Sequence, residues 1–309
     1  MASADGPALI DVHHHILPPP FVAAHGNEIV SFAGSASVLD WTPGRALEDL
    51  DRFGIAKAYT SLGVPGTPDA AVARACNEYA ADMTREHPRR FGLLATLPLP
   101  NLEASLEEIS YAYDELEADG IGLLTTYGGR RIGDPHFVPV FEELSRRRAV
   151  IHLHPTAPEA CRGLVQEIGD PFLEFPFDTT RAVASLIYGG TLSRCPDLTV
   201  VLSHGGGALA MLAGRLGAPA RSAGGIPDVP ARLSALYADI VTVTDPAPFA
   251  AVSAIFGQDQ LLFGTDYPYG PPALMVGAVT ALEMAEQARS AIAAGTASAL
   301  FSRPRSETA

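Results

Sequence analysis

Lysine is almost missing from this chain: Lys57 is the single one in 309 residues, and lysine plus arginine number 21 against 35 aspartates and glutamates, for a net charge of −14. So acidic a chain repels phosphate backbones and offers no basic stripe, which excludes nucleic acid and points to a small-molecule partner. Cysteine is scarce too. Cys76, Cys161 and Cys195 are odd in number, far apart and without C-x-x-C spacing, so neither a disulfide framework nor a structural zinc site is expected, and the three read as reduced, mostly buried thiols. Long apolar runs are also missing. The positive mean hydropathy comes from Ala, Leu and Val spread along the chain, with nothing near the roughly eighteen unbroken apolar residues that span a bilayer. No membrane partner is expected, and without a basic patch leading into an apolar stretch near residue 1 the expected compartment is the cytoplasm.

What is abundant is apolar residues, 47% of the chain, enough for one large core and a single domain over residues 1–309 with its core from about residue 8 to about residue 300. Short β-rich apolar runs alternate with amphipathic helical patterns, the signature of βα units around a parallel sheet. Eight strands are expected: Ala8 to His13, Ala56 to Leu62, Gly92 to Leu97, Gly120 to Thr125, Val150 to His154, Leu198 to Ser203, Leu236 to Ile240 and Leu261 to Gly264. Helices fill the gaps: Pro43 to Phe53, Pro68 to His87, Leu102 to Ala118, Phe137 to Arg147, Thr179 to Ser193, Ala208 to Leu216, Pro246 to Phe256, and Ala273 to Leu300 in one or two pieces. The fold class is therefore α/β, a (β/α)8 TIM barrel. Ile16 to Thr42, with the triplet Pro18-Pro19-Pro20, is long for a βα loop and is expected to be a lid-like insertion after strand 1. Gly217 to Pro230 is expected to be a mobile or subunit-facing loop, and the polar tail beyond Ser302 to fray.

Four of these strands end in metal-ligand residue types. Residues two apart on a strand share a face, so His13 and His15 can meet one ion while His14 points away. By the same alternation His152 and His154 share a face, but only His154 lies at the strand's C-terminal end, where a barrel keeps its active site. His152, a layer deeper, is a hydrogen-bonded core histidine or a support for a ligand. His204 precedes three glycines, which let backbone approach a ligand closely; it is a site residue or an ordinary loop histidine. Asp266, between Gly264 and Pro268, is a buried carboxylate needing a cation or donors, or else a helix cap. Strand ends converge at the barrel mouth, where one point could collect all four clusters.

Those residues, in that order, resemble the amidohydrolase superfamily, and within it the branch of aminocarboxymuconate-semialdehyde decarboxylase. The motifs are D-x-H-x-H-I-L-P from Asp11, His154-Pro155, Ser203-His204-Gly205-Gly206-Gly207 and Gly264-Thr265-Asp266-Tyr267-Pro268. Ile10 to His15, Ala118-Asp119-Gly120, Gly133-Asp134-Pro135 and Phe175-Pro176-Phe177-Asp178-Thr179-Thr180 are similar to the 6-methylsalicylate decarboxylase type. The resemblance implies one divalent ion, zinc or alternatively manganese, held by His13, His15, His154 and Asp266, with His204 catalytic beside it. Many two-metal relatives bridge their ions with a lysine at the end of strand 4; the lone Lys57 begins strand 2, so such a site is excluded. Where the branch carries an arginine after the Trp-x-Pro segment this chain has Ala46, with Arg45 next to it, which disfavours the aminocarboxymuconate substrate. Arg215 matches an arginine that reaches the substrate carboxylate from a neighbouring subunit, so a homodimer is implied; a plain helix-surface arginine is the alternative.

The implied reaction is non-oxidative decarboxylation of a small aromatic hydroxy acid. Asp266 would deliver a proton to the ring carbon while His204 sets its protonation state, with Arg215, Phe177 and Tyr127 binding substrate. Phe21, Trp41, His136 and Tyr269 also fall near the mouth and could line an aromatic pocket, or simply pack. The same site could instead hydrolyse a carbonyl, lactone or amide, or the barrel could bind a metabolite without catalysis.

Overall fold

The computed structural model describes residues 8–64, 69–218 and 228–302. Strands β1 (Leu9–Ile16), β2 (Ile55–Leu62), β3 (Phe91–Thr96), β4 (Gly120–Leu124), β5 (Val150–His154), β6 (Thr199–Leu202), β7 (Tyr237–Asp239) and β8 (Leu261–Leu262) pair in chain order, all in parallel. Backbone hydrogen bonds close the seam between β8 and β1: Val12 N–H to Phe263 O at 3.1 Å, Asp266 N–H to His13 O at 2.8 Å and His15 N–H to Tyr267 O at 2.6 Å. The expected (β/α)8 barrel is thus the observed one. β1 runs on to Ile16 rather than ending at His13, so the whole histidine triplet lies within a strand, and its register slips between Asp11 and His14.

The barrel floor is apolar. Val12, Tyr59, Leu94, Val150, Val201 and Leu262, from six different strands, pack with Ala297 and Leu300 into one buried cluster, while the larger cluster lies between sheet and helices. At the floor end Tyr59 stacks on Phe301, ring centroids 3.7 Å apart, and the Lys57 ammonium sits 4.7 Å from the Tyr59 ring.

Local signals account for the helices. In α2 (Pro43–Phe53) Thr42 accepts from Arg45 N–H at 3.2 Å, Pro43 occupies the first turn, and Gly54 closes the helix at φ 70°, so both ends coincide with expectation. The insertion after β1, expected to be a lid-like loop, is largely helical. It contains α1 (Pro19–Ala33) and a 3-10 turn Ala36–Asp40, and Phe21 and Ile29 of α1 are fully buried. Its prolines stand where the missing N–H costs nothing, so a proline run that reads as irregular is a helix start.

Next come α3 (Ala70–Glu86), α4 (Leu102–Asp114), α5 (Val138–Arg146) and α6 (Asp170–Tyr188). α4 stops short of Ala118 because Glu117 turns to φ 54°. α6 begins at Asp170 rather than Thr179 and continues through Pro176. Pro171 in its first turn supplies a second start signal that the interior proline masks. After α7 (Thr191–Arg194) and α8 (Leu209–Leu216) the expected C-terminal helix arrives in pieces, Pro272–Ala281, Glu286–Ser290 and Thr296–Phe301. The start of the expected helix at Pro68, residues 219–227 of the expected loop and the tail from residue 303 lie outside the described residues. Among the described residues no helix is long and apolar enough to cross a membrane.

One glycine in the turn after β6 is dictated by space as well as by backbone. Gly207 has φ 65° and ψ −129°, and a Cβ there would meet Pro176 O at 2.1 Å. Gly207→Ala is expected to cost ~2–4 kcal/mol of stability. Thermal unfolding of the variant within a degree or so of the parent would contradict that fit.

Candidate metal centre

His13 and His15 project from β1, His154 from the end of β5, and Asp266 from the turn after β8, and one ligand atom from each lies within 4.8 Å of all the others. His13 Nε2 is 3.0 Å from His15 Nε2, and Asp266 Oδ1 is 3.2 Å from both nitrogens. The three histidines are fully or almost fully buried, while the Asp266 side chain keeps 21% exposure. Gly264 has no room for a side chain: a Cβ would lie 2.8 Å from His13 Cβ.

Hydrogen bonds prepare the same nitrogen of each ring. His13 Nδ1 faces Asp239 Oδ2 at 2.8 Å, His15 Nδ1 faces Ser61 Oγ at 3.3 Å, and His154 Nδ1 faces Pro155 O at 2.8 Å. With the Nδ1 protons given to these acceptors, the three Nε2 lone pairs turn toward one point. His154 Nε2 is buried and has no hydrogen-bond partner. A buried acceptor left open beside two imidazoles and a carboxylate fits a cation that accepts nitrogen and oxygen donors.

His204 stands beside this cluster. Its Nε2 is 3.3 Å from Asp266 Oδ2, so the carboxylate spends one oxygen on His13 and His15 and the other on His204. Both Asp266, at φ 59°, and His204, at φ 55°, adopt left-handed backbone. Such conformations persist only when their surroundings enforce them.

The electrostatics divide the rings. Burial opposes a charge on His13, but the Asp239 and Asp266 carboxylates outweigh it and push its pKa up to about 10. Burial lowers His15, with His13 adding to the effect, and drives His154 well below the usual imidazole range, His15 and His13 adding to it. Burial also opposes ionisation of Asp266, yet His13 and the hydrogen bonds hold it well below the carboxylate range. Below its raised pKa, His13 keeps a proton where a cation must bind. Cation affinity is therefore expected to climb roughly tenfold per pH unit between about pH 7 and about pH 9. Titration calorimetry in buffers of different ionisation enthalpy counts the proton displaced; a count of zero contradicts the expectation.

His14 turns away from the cluster, stacking on Tyr267 with centroids 4.5 Å apart and meeting Asp11 Oδ2 at 3.0 Å. Asp11 also accepts from His13 N–H, Thr265 N–H and Thr265 Oγ1–H, tying β1 to the turn that carries Asp266. His152 lies deeper, its Nε2 3.3 Å from Asp239 Oδ2. Asp239 itself is a site residue that the sequence reading missed. Its signal was a carboxylate at the end of a strand, the same signal that marked Asp266.

The residues expected to bind substrate scatter. Tyr127 is buried at 2% exposure, its hydroxyl accepting from Leu124 N–H at 2.7 Å and its ring against Phe137, so it packs rather than opening onto a cavity. Phe177 is 40% exposed on α6 with Arg181 over its ring, and Arg215 is exposed on α8. Phe21 is fully buried, and His136 bonds to Pro100 O. Trp41 and Tyr269 share a cavity of about 420 Å³ with Arg45 and Tyr267, and Tyr269 also packs against His15. Phe175 of α6 was not singled out among the pocket residues. Its ring centroid is 5.7 Å from His154 and 6.3 Å from His204, and Phe32 of α1 lies 6.3 Å behind it.

A closed barrel with three imidazoles and a carboxylate clustered at its mouth is a scaffold whose donor set fits a metal ion. The sequence pattern of the Amidohydrolase family matches residues 10–303, and the chain belongs to that family. It is 34% identical to the decarboxylase yanB of Aspergillus niger, over 95% of this chain and 87% of the relative. Identity to the 6-methylsalicylic acid decarboxylase of Penicillium expansum is 31%, over 96% and 97% of the two chains. Among solved structures, 5-carboxyvanillate decarboxylase of Novosphingobium aromaticivorans, complexed with manganese and 4-hydroxy-3-methoxy-5-nitrobenzoic acid, superposes with a TM-score of 0.87 over 96% and 97% of the chains at 21% identity.

Proposed function

We propose that this protein is a metal-dependent, non-oxidative decarboxylase of a small aromatic hydroxy acid of the 6-methylsalicylate kind. The observation that carries the proposal is the division of Asp266: Oδ1 completes the donor set with His13 and His15, while Oδ2 faces His204 at 3.3 Å. That couples a proton-transfer pair to a cation site through one side chain. The named decarboxylases at 34% and 31% identity support the same chemistry.

His13, His15, His154 and Asp266 would hold the ion; the donor set suits zinc, and manganese, present in the solved neighbour, is the competitor. When bound, it would offset the charge on the substrate's oxygens as the phenol gives up its proton and again as the C–C bond breaks. Asp266 is ionised at rest, so the proton it delivers must come from the incoming substrate: the phenolic hydroxyl gives it up to the Asp266–His204 pair. Asp266 Oδ2 then places that proton on the ring carbon bearing the carboxylate. A C–H bond forms, the C–C bond to the carboxylate breaks, carbon dioxide leaves, and the phenol oxygen regains a proton from solvent. Phe175, beside His154 and His204, supplies an apolar wall for the ring and keeps water from competing for the proton.

The assembly proposed is a homodimer in which Arg215 meets the partner's substrate carboxylate. Exposed Leu164, Phe172 and Met211, at 67%, 76% and 80% exposure, are apolar surface that a second copy would cover. Incubating metal-replete protein with 6-methylsalicylate should release m-cresol and carbon dioxide. No turnover with 6-methylsalicylate, salicylate or any dihydroxybenzoate would overturn the assignment.

A further inference from the structure

Asp239, at the end of β7, is fully buried and meets four partners. Oδ2 lies 2.8 Å from His13 Nδ1 and 3.3 Å from His152 Nε2, and Oδ1 accepts from the backbone N–H of His204 at 2.9 Å and of Val241 at 3.0 Å. One carboxylate thus touches a ligand ring on β1, a deeper ring on β5 and the left-handed turn that presents His204. We propose that Asp239 is a positioning residue whose acceptor-only carboxylate fixes the tautomer of His13 and thereby sets the cation affinity of the centre. This rests on the reading that His13, His15, His154 and Asp266 hold a cation.

The argument is one of donor and acceptor count. A carboxylate can only accept, so a neutral His13 must keep its proton on Nδ1 and leave Nε2 bare. Nε2 is the nitrogen that faces His15 and Asp266. Neither of the two other rings faces a side-chain carboxylate at Nδ1. Ser61 Oγ, opposite His15 Nδ1, can donate as readily as accept, and Pro155 O serves a single proton of His154. An amide at position 239 cannot replace the carboxylate. The backbone N–H groups of His204 and Val241 still require an oxygen, so the amide NH2 must turn toward His13 Nδ1. Nδ1 then has to accept, the proton moves to Nε2, and the ligating atom becomes a donor that repels the ion. The change is isosteric, so the effect comes from hydrogen-bond polarity rather than volume.

The test is zinc affinity, measured by competition with a chelator of known strength. Asp239→Asn should bind zinc about 10–100-fold more weakly than the parent. Asp239→Ser leaves a hydroxyl for the backbone N–H groups and space for a water that accepts from Nδ1–H. The serine variant should therefore bind zinc more tightly than the asparagine variant, although it loses more packing and unfolds at lower temperature without metal. A purely structural role gives the opposite order. Affinity of Asp239→Asn within about twofold of the parent, or weaker binding by serine than by asparagine, overturns the proposal. Should neither variant fold, the zinc-loaded parent carrying nitrogen-15 histidine decides by NMR: a proton on His13 Nδ1 supports the assignment and one on Nε2 overturns it. A parent that takes up no zinc defeats the cation centre itself, and this inference falls with it.

Discussion

Asp266→Asn should lower the decarboxylation rate about a thousandfold or more and also strip bound metal. The size follows from the double duty of this carboxylate. Oδ1 faces His13 and His15 at 3.2 Å, and Oδ2 faces His204 at 3.3 Å. An amide can present oxygen to one side only, and its NH2 group cannot carry a proton to a carbon. His204→Ala is the companion experiment, because it removes a neighbour of Oδ2 without touching the four-atom donor set. Turnover should vanish there while metal content, by elemental analysis, stays near that of the parent. Equal metal loss in both variants would move His204 into the ligand set, and an active Asp266→Asn enzyme would refute the proton pathway.

Removing the ion should be almost as damaging as removing Asp266. A strong chelator is expected to bring activity to background, with recovery on adding zinc or manganese. It should also destabilise the fold, because His154 Nε2 is then left buried without a partner. A ligand present at about a thousand times its dissociation constant contributes about 4 kcal/mol to the folded state. In a chain of 309 residues that corresponds to a fall of roughly 6 °C in the unfolding midpoint. Full activity in protein shown to be metal-free would contradict the centre, and an unchanged midpoint would show that the open nitrogen costs nothing.

Strand order and the positions of the clustered side chains were legible in the sequence because each parallel strand is short and buried, and five of them carry His or Asp close to or just past their C-terminal ends. Asp11, His13, His15, His154 and Asp266 all announce themselves in this way. Asp239 ends its strand likewise, but a lone carboxylate in Tyr237-Ala238-Asp239-Ile240 has no second histidine to draw attention to it. Helix starts failed where proline is ambiguous. Pro18-Pro19-Pro20 reads as an irregular loop, and Pro176 hides the first turns of α6, yet in both cases a proline in the first turn nucleates the helix. Tyr127 shows the limit for pockets. An aromatic residue close to a strand end faces either the cavity or the packing behind it, and its hydroxyl bond to Leu124 N–H, a short-range backbone contact, chooses the latter.

The lone lysine has a practical use. Lys57, the third residue of β2, sits beside Tyr59 and Phe301 at the end of the barrel opposite His154 and Asp266. Coupling through its ε-amine to a solid support or a fluorophore would tether each molecule by one defined side chain, leaving the catalytic face turned to the solution.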